Sequence, residues 1–299
     1  MVPFLPTNSR LPRFRRSVER AGRFVLTERD EALLKLVFQH RFLSSAHLVR
    51  LAGGSAQPVL RRLQLLYHHG FLDRPRSQLD YYHQGGSRPM VYGLGGKGAR
   101  QLGVAPGRFE ERQVGRLHLQ HTLRVADVLV GLEVACRGRR EFLAEAALRE
   151  DLPPGRQFHW AVAVRHQGEM RRVGLIPDGV FALRDAVGRR VLCFVEADRG
   201  TMPVSRRSLA QSSFLRKLLA YGATWEQGLH GSRFGVTRFR VLTVTSSPSR
   251  ARRLVEACGE LGRGRGLFLF TDQAAFLAAA DPFTLEWLDG HGGASLLTP

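Results

Sequence analysis

The stretches LIPDGVFAL (175–183) and VLCFVEAD (191–198) place acidic side chains inside two strongly apolar segments. Short apolar runs joined by a polar turn predict two strands of one hairpin. Asp178 lies within the first strand, whereas Glu196 and Asp198 end the second with side chains on the same face. A buried carboxylate is costly unless it is paired or bound to a metal. If the strands are neighbours, Asp178 and Glu196 lie side by side, and oxygen ligands of this kind suit Mg²⁺ or Mn²⁺.

The segment after the second strand, residues 205–227, is predicted to be helical and carries Lys217 and Tyr221 one turn apart on one face. Only three of the 45 basic residues are lysines, so a position that needed positive charge alone would normally hold arginine. A lysine beside a metal-bound water can orient that water and stabilise charge on a phosphate. These residues therefore predict the parts of a metal-dependent phosphodiesterase, with Asp178 and Glu196 as metal ligands and Lys217 as the cation.

The second part of the chain alternates strands and helices, which favours a mixed α/β fold with a sheet covered by helices. Within it, PDGVFAL (177–183), FVEADRGT (194–201) and RKLLAY (216–221), in this order and spacing, resemble the bacterial replication-relaxation family. That family is associated with plasmids and other mobile elements. The resemblance covers about residues 24–290. It implies an N-terminal winged helix-turn-helix and a C-terminal α/β/α restriction-endonuclease-like domain of the PD-(D/E)XK type.

By this resemblance, Asp178 takes the place of the first motif acid and Glu196 that of the second. Asp198 stands where the nuclease motif has its catalytic lysine, and Lys217 is placed to supply that lysine from the following helix. A simpler alternative is that Asp198 and Arg199 form an ion pair that closes the strand end. Two hypotheses follow: a DNA-binding protein with an inactive nuclease-like domain, or an active Mg²⁺-dependent DNA endonuclease or nickase.

Three short helices are predicted before this domain. Thr27 and Ser55 are capping residues that open the first and third helices, and Gly53-Gly54 ends the second. A hairpin follows the third helix directly. Three helices with a tight turn, followed by a hairpin, predict a winged helix-turn-helix over residues 24–105.

In such a domain the third helix enters the major groove and the hairpin contacts the backbone or the minor groove. The predicted base-reading residues are Gln57, Arg61, Arg62 and Gln64. The predicted contacts from the hairpin are Arg74, Arg76 and Arg88.

The charge balance supports a polyanionic partner. The chain has 299 residues, a net charge of +19 and an isoelectric point near 11.3, which favours double-stranded DNA.

No apolar run is long enough for a membrane span, and no signal-peptide core is present, so the cytoplasm is the expected compartment. The three cysteines are far apart, which makes a disulfide framework or a zinc site improbable. A homodimer and contacts with replication or transfer proteins, including a pure scaffold role, stay open.

The predicted domain organisation has four parts. Residues 1–23 form a flexible basic arm, the winged helix covers 24–105, the nuclease-like domain covers 112–290, and 291–299 form a tail. A Gly- and Pro-containing join at residues 103–113 separates the two domains. The second domain opens with a long helix, about residues 112–137, whose Asp127, Glu133, His118 and His121 are weaker site candidates.

Overall fold

The computed structural model describes residues 11–79, 88–104, 114–153 and 156–298. The chain has a mixed α/β fold, as predicted, and divides into two compact units, Met1–Ala126 (unit 1) and Asp127–Pro299 (unit 2). The division falls inside the long helix that the sequence assigns to the second domain. The join predicted at residues 103–113 lies largely outside the described residues.

Unit 1 combines short helices with a small antiparallel sheet. Its elements are α1 (Val18–Ala21), α2 (Glu28–His40), β1 (Phe42–Ser44), α3 (Ser45–Ala52), α4 (Ala56–His68), β2 (Leu72–Asp73), β3 (Val91–Leu94), α5 (Gly96–Gln101) and the first part of α6 (Arg116–Cys136). The sheet has the order β1-β3-β2, with both pairs antiparallel. Strand β1 is an element that the sequence did not predict.

Local capping explains where these helices begin. Thr27 and Asp30 form a reciprocal capping box at the start of α2. The backbone amide of each residue donates to the side chain of the other. Ser44 accepts a hydrogen bond from the His47 amide at the start of α3. The chain then turns at Gly53, whose φ of +67° lies in the left-handed region that favours glycine. The turn sets α3 against α4.

The described part of the predicted N-terminal basic arm contacts the rest of unit 1 through Arg16 and Ser17. Residues 1–10 lie outside the described part of the chain, and we call residues 11–27 the N-terminal strap. The Arg16 guanidinium donates to the carbonyl oxygens of Tyr67 and Leu72, each at 3.1 Å, and pairs with Asp73 at 2.5 Å. The Ser17 amide donates to His68 Nδ1 at 3.1 Å. The strap therefore covers the end of α4 and the strand that follows it.

Unit 2 is built on a seven-stranded sheet of order β12-β11-β10-β9-β8-β7-β4 and a separate two-stranded ribbon, β5-β6. Its strands are β4 (Glu141–Ala144), β5 (Trp160–His166), β6 (Glu169–Leu175), β7 (Gly179–Arg184), β8 (Arg190–Ala197), β9 (Phe239–Thr245), β10 (Phe268–Asp272), β11 (Trp287–Asp289) and β12 (Ala294–Ser295). Its helices, besides the end of α6, are α7 (Glu145–Glu150), α8 (Phe214–Glu226), α9 (Leu229–Phe234), α10 (Pro248–Ala257) and α11 (Gln273–Ala278).

Helices cover both faces of this sheet. Alternate residues of β7 and β8, such as Val180 and Phe194, join the core formed with α8, α10 and the ribbon. Their neighbours, such as Phe181 and Val195, join the core formed with α6 and α11 on the other face. Strands buried on both sides require the nearly continuous apolar runs seen in the sequence.

The first strand of the predicted hairpin is divided in two. Residues up to Leu175 belong to β6 and pair with β5, whereas β7 begins at Gly179 and pairs with β8 and β4. Pro177 lies at the break, where its missing N–H cannot interrupt a ladder. The predicted helix 205–227 is also shorter, since α8 begins at Phe214 after Ser213 caps it.

Arg62 is predicted to stabilise unit 1. It donates to the fully buried Asp30 carboxylate at 2.8 Å and to the Val25 carbonyl oxygen at 2.8 Å. Arg62→Ala should lower the free energy of unfolding by about 1.5–3 kcal/mol, because a buried carboxylate loses a charged partner. Arg61→Ala, at an exposed position one residue away, should change it by less than about 0.5 kcal/mol. Urea denaturation followed by circular dichroism measures both, and equal effects would contradict this role for Arg62.

Candidate functional site

Asp178 and Glu196 lie close together at one end of neighbouring strands. Gly179, the first residue of β7, pairs with Val195 of β8, which places Asp178 beside the end of β8 that carries Glu196. The charge of Asp178 acts on the Glu196 carboxylate. The Asp178 amide donates to the Val195 carbonyl oxygen at 3.0 Å, and Asp178 Oδ2 accepts from the Ala197 amide at 2.9 Å. The break before β7 therefore leaves Asp178 fixed to β8 by two backbone contacts. The structure brings together the two acids that the sequence placed side by side.

Glu196 points at α8, where Lys217 and Tyr221 hold its carboxylate. Lys217 Nζ donates to Oε2 at 2.5 Å, and the Tyr221 hydroxyl donates to Oε1 at 2.8 Å. Glu196 is only 1 % exposed, and Lys217 keeps part of its side chain accessible. The four-residue spacing of Lys217 and Tyr221 on α8 lets both reach one carboxylate. The helix thus presents a cation to the acid pair, in the arrangement predicted from the sequence.

Burial and neighbouring charges shift the pKa values of this cluster. Burial raises the pKa of Glu196 to about 7 against the opposing effect of Lys217, and the charge of Asp178 raises it as well. Burial lowers the pKa of Lys217, but the charges of Glu196 and Asp178 outweigh it and leave that pKa above its usual value. Burial and the Glu196 carboxylate raise the pKa of Tyr221 far above its usual range. Lys217 is therefore a cation, and Tyr221 a hydrogen-bond donor, at neutral pH.

Asp198 has different partners from Glu196. Its carboxylate pairs with the buried Arg250 of α10 at 2.9 Å and accepts from the Thr245 hydroxyl at 2.8 Å. Arg250 also donates to the Met202 carbonyl oxygen at 2.6 Å, so it fixes the loop after β8. Arg250 thus closes the strand end as a partner that the sequence analysis did not identify. Both carboxylate oxygens of Asp198 accept hydrogen bonds in this network, so its contacts stabilise the fold.

Among the described residues, the acids of α6 do not join Asp178 and Glu196 to form a larger set of metal ligands. Asp127 Oδ2 accepts from Gln273 of α11 at 3.0 Å. His118 contacts Arg41 at 2.8 Å, and burial together with that arginine lowers its pKa. Within residues 11–79, 88–104, 114–153 and 156–298, no group of three or more His, Cys, Asp or Glu side chains could hold a metal ion.

A second candidate surface lies on α4. Gln57 and Arg61 are exposed and Gln64 is partly exposed, while Val59 and Leu63 face the core. The polar stripe predicted for the third helix is therefore available to a partner over these three residues.

Two predicted DNA-contacting arginines instead have partners within unit 1. Arg62 is bound to Asp30 and stacks over Phe24, with 4.8 Å to the ring centroid. Arg74 is buried, donates to the Tyr92 hydroxyl at 3.1 Å, and lies 3.9 Å from the Tyr67 ring centroid. Both guanidinium groups serve packing, so we remove Arg62 and Arg74 from the candidate interface. Arg76 and Arg88 remain exposed.

Comparison with known families gives one match. A family model described as replication-relaxation matches residues 34–238. No curated protein and no solved structure gives a significant match. None of the helices in the described ranges is both long and apolar enough to cross a bilayer.

The raised pKa of Glu196 predicts a specific pH dependence of stability. Because its pKa is about 7 in the folded protein and 4.5 is the usual value, the folded state binds the proton more tightly. The resulting stability is fully present below about pH 4.5 and is lost as the pH rises through 7. Glu196→Gln should therefore flatten the dependence of the unfolding free energy on pH across this interval, as measured by urea denaturation. Glu226→Gln, at an exposed position of α8, should keep the wild-type profile. Identical profiles for wild type and Glu196→Gln would refute the assignment.

Proposed function

This chain belongs to the replication-relaxation family, and we propose that within a replication-related role it binds duplex DNA through unit 1. In this proposal unit 1 is a winged helix, with α4 as the recognition helix. The setting is the replication or regulation of a plasmid or another mobile element. The family match supports the replication-related role, and the binding surface is argued below from the residues of unit 1.

The exposed polar stripe on α4 is the observation that carries the proposal. Gln57 and Arg61 are exposed, whereas Val59, Leu63 and Leu66 of the same helix are buried. Amide and guanidinium side chains are the groups that read base edges in the major groove by paired hydrogen bonds. Arg61 differs from Arg62 because it makes no ion pair with any described residue, which leaves its guanidinium for a partner.

The small sheet supports the same reading. It follows α4 directly, with β2 and β3 as the two arms of a hairpin and β1 as a third strand. Residues 80–87, between β2 and β3 in the chain, include Tyr81 and Tyr82 and lie outside the described residues. Arg76 and Arg88 are exposed on the two sides of this segment and are suited to phosphate contacts.

Charge adds a sequence-independent component to the binding. The chain carries +19, and the strap exposes Arg13, Arg15, Arg20 and Arg23. The strap is held in place by Arg16, so these arginines belong to an ordered surface. Neutralising phosphates releases counterions, and affinity should therefore fall steeply as salt increases.

An alternative function for unit 2 is Mg²⁺- or Mn²⁺-dependent cleavage of DNA. The observation that favours it is the 2.5 Å contact between Lys217 Nζ and a carboxylate that lies close to Asp178. In this alternative Asp178 and Glu196 bind the metal, and Lys217 positions water or stabilises charge on the phosphate. Asp198, which is bound to Arg250, takes no part in the chemistry.

The acid pair fits a magnesium ion in one respect. Mg²⁺ is commonly bound by one or two carboxylates, with waters and substrate phosphates as the other ligands. Asp178 and Glu196 can provide that number of carboxylates. Because both Glu196 oxygens accept hydrogen bonds from α8, metal binding requires one of these contacts to be shared or exchanged. When bound, the ion would supply Lewis acidity and a more acidic water.

The first functional prediction concerns duplex binding. Arg61→Ala should weaken binding by about 1–3 kcal/mol if the arginine contacts a base. Gln57→Ala should weaken binding as well. Arg100→Ala, which removes an exposed arginine from α5, serves as a control for the loss of one charge. Fluorescence anisotropy with a labelled duplex at several salt concentrations measures affinity and its salt dependence. Unchanged affinity for both α4 variants would remove α4 from the interface, and a salt-independent affinity would contradict phosphate binding.

The second functional prediction tests cleavage. If unit 2 is a nuclease, the wild-type protein nicks supercoiled plasmid with Mg²⁺ or Mn²⁺, and both Asp178→Ala and Lys217→Ala abolish nicking. Lys35→Ala, which removes an exposed lysine from α2, should retain it. Melting temperatures establish that the variants are folded. Absence of nicking by a wild-type protein that binds duplex DNA would eliminate the alternative and leave DNA binding as the function.

A further inference from the structure

The β5-β6 ribbon stands apart from the seven-stranded sheet and has two different faces. The register pairs Ala163 with Arg172 and Arg165 with Met170, so these four residues share one face. All four are exposed, whereas Val162 and Val173 of the opposite face lie in the core with α8. The exposed face of the ribbon is therefore not covered by any of the described residues of unit 2.

This outer face is basic and has a flat centre. Its six strand positions are Ala161, Ala163 and Arg165 on β5 and Met170, Arg172 and Gly174 on β6. None of the six is acidic, and neither arginine makes a hydrogen bond or ion pair with any described residue. Glu169, an acid within the ribbon, is on the other face and is bound to Arg171. The small side chains of Ala161, Ala163 and Gly174 permit close approach of the backbone to a partner.

The ribbon is also physically connected to the acid pair. Trp160 of β5 packs against Phe194 and Tyr221, with ring centroids at 5.3 Å and 6.0 Å. Tyr221 is the residue that holds Glu196. At the other strand, β6 ends at Leu175, and only Ile176 and Pro177 separate it from Asp178. Ile176, which follows the last residue of β6, is 72 % exposed.

We infer that the outer face of this ribbon is a second duplex-DNA contact surface, which delivers the duplex to the acid pair of unit 2. A two-stranded ribbon fits the major groove, which is about 12 Å wide, and strands of seven residues span about 23 Å. Arg165 and Arg172 contact phosphates on the groove walls. Met170 and Ile176 provide apolar contacts to the base edges on the floor of the groove. The inference rests on the proposed function, because it requires a duplex ligand.

The test uses the full-length protein and a labelled duplex. Arg165→Gln with Arg172→Gln should lower the slope of log affinity against log salt by about 1.8, since each lost phosphate contact contributes about 0.9. The matched control is Arg238→Gln with Arg252→Gln, which removes the same charge from two exposed positions elsewhere in unit 2. The control pair should leave the slope within experimental error of the wild type.

A second measurement locates the contact directly. Cys136, Cys193 and Cys258 are all buried, so a cysteine at Ala163 can be labelled selectively with an iron–EDTA cleavage reagent. The labelled Ala163→Cys protein should cut the bound duplex locally. A label at Ala186→Cys, an exposed position in the turn between β7 and β8 at the opposite end of both strands from the acid pair, should not. Equal slopes for the ribbon and control pairs, with no cutting from position 163, would overturn the ribbon while Arg61→Ala still weakens binding. No duplex binding by the wild type would overturn the proposed function as well.

Discussion

A buried carboxylate is stabilised by a cation and a hydrogen-bond donor, and in unit 2 helix α8 provides both to Glu196. The sheet buries this side chain on the face that α8 covers, where an unpaired charge would be costly. Lys217 and Tyr221 satisfy its two oxygens, and in doing so they fix the angle at which α8 lies over β8. The aromatic contacts of Tyr221 with Trp160 and Phe194 then link the same helix to the ribbon. One acid thus organises the sheet, the helix and the ribbon around it.

Glu196 and Asp198 show how two acids on one strand acquire different environments. They are two residues apart and face the same side, yet one meets α8 and the other meets α10. Asp198 is locked by Arg250 and Thr245 in a buried network that ties β8, β9 and the following loop together. A lysine at that position would face Arg250, and the fold would lose this tie. The cation beside Glu196 comes instead from the helix, where its partly exposed side chain can respond to a ligand.

The sequence predicts the helices and strands whose apolar residues recur at short, regular spacing. Helices α2, α3 and α4, strand β8 and the shared helix face of Lys217 and Tyr221 follow from spacing and apolar pattern. Contacts between distant segments do not. Arg250 lies 52 residues from Asp198, and Arg62 lies 32 residues from Asp30, so nothing local distinguishes them from exposed arginines such as Arg61. The packing of the N-terminal strap could not be predicted for the same reason. Its arginines suggest a solvated arm, and its partners Tyr67, His68 and Asp73 lie more than 50 residues away in the chain.

The break at Pro177 has a consequence for how this domain can diversify. In the sheet, β4 and β7 are neighbours, although α7 and the whole ribbon lie between them in the chain. That stretch is an insertion that leaves the sheet before β5 and returns after β6. Because Asp178 is anchored to the backbone of β8, the register of the acid pair is independent of the length of the ribbon. Residues can be added or lost at the ribbon tip, around Gln167 and Gly168, without shifting either acid. Changes in the length of the ribbon can therefore alter its outer face while Asp178 and Glu196 keep their positions.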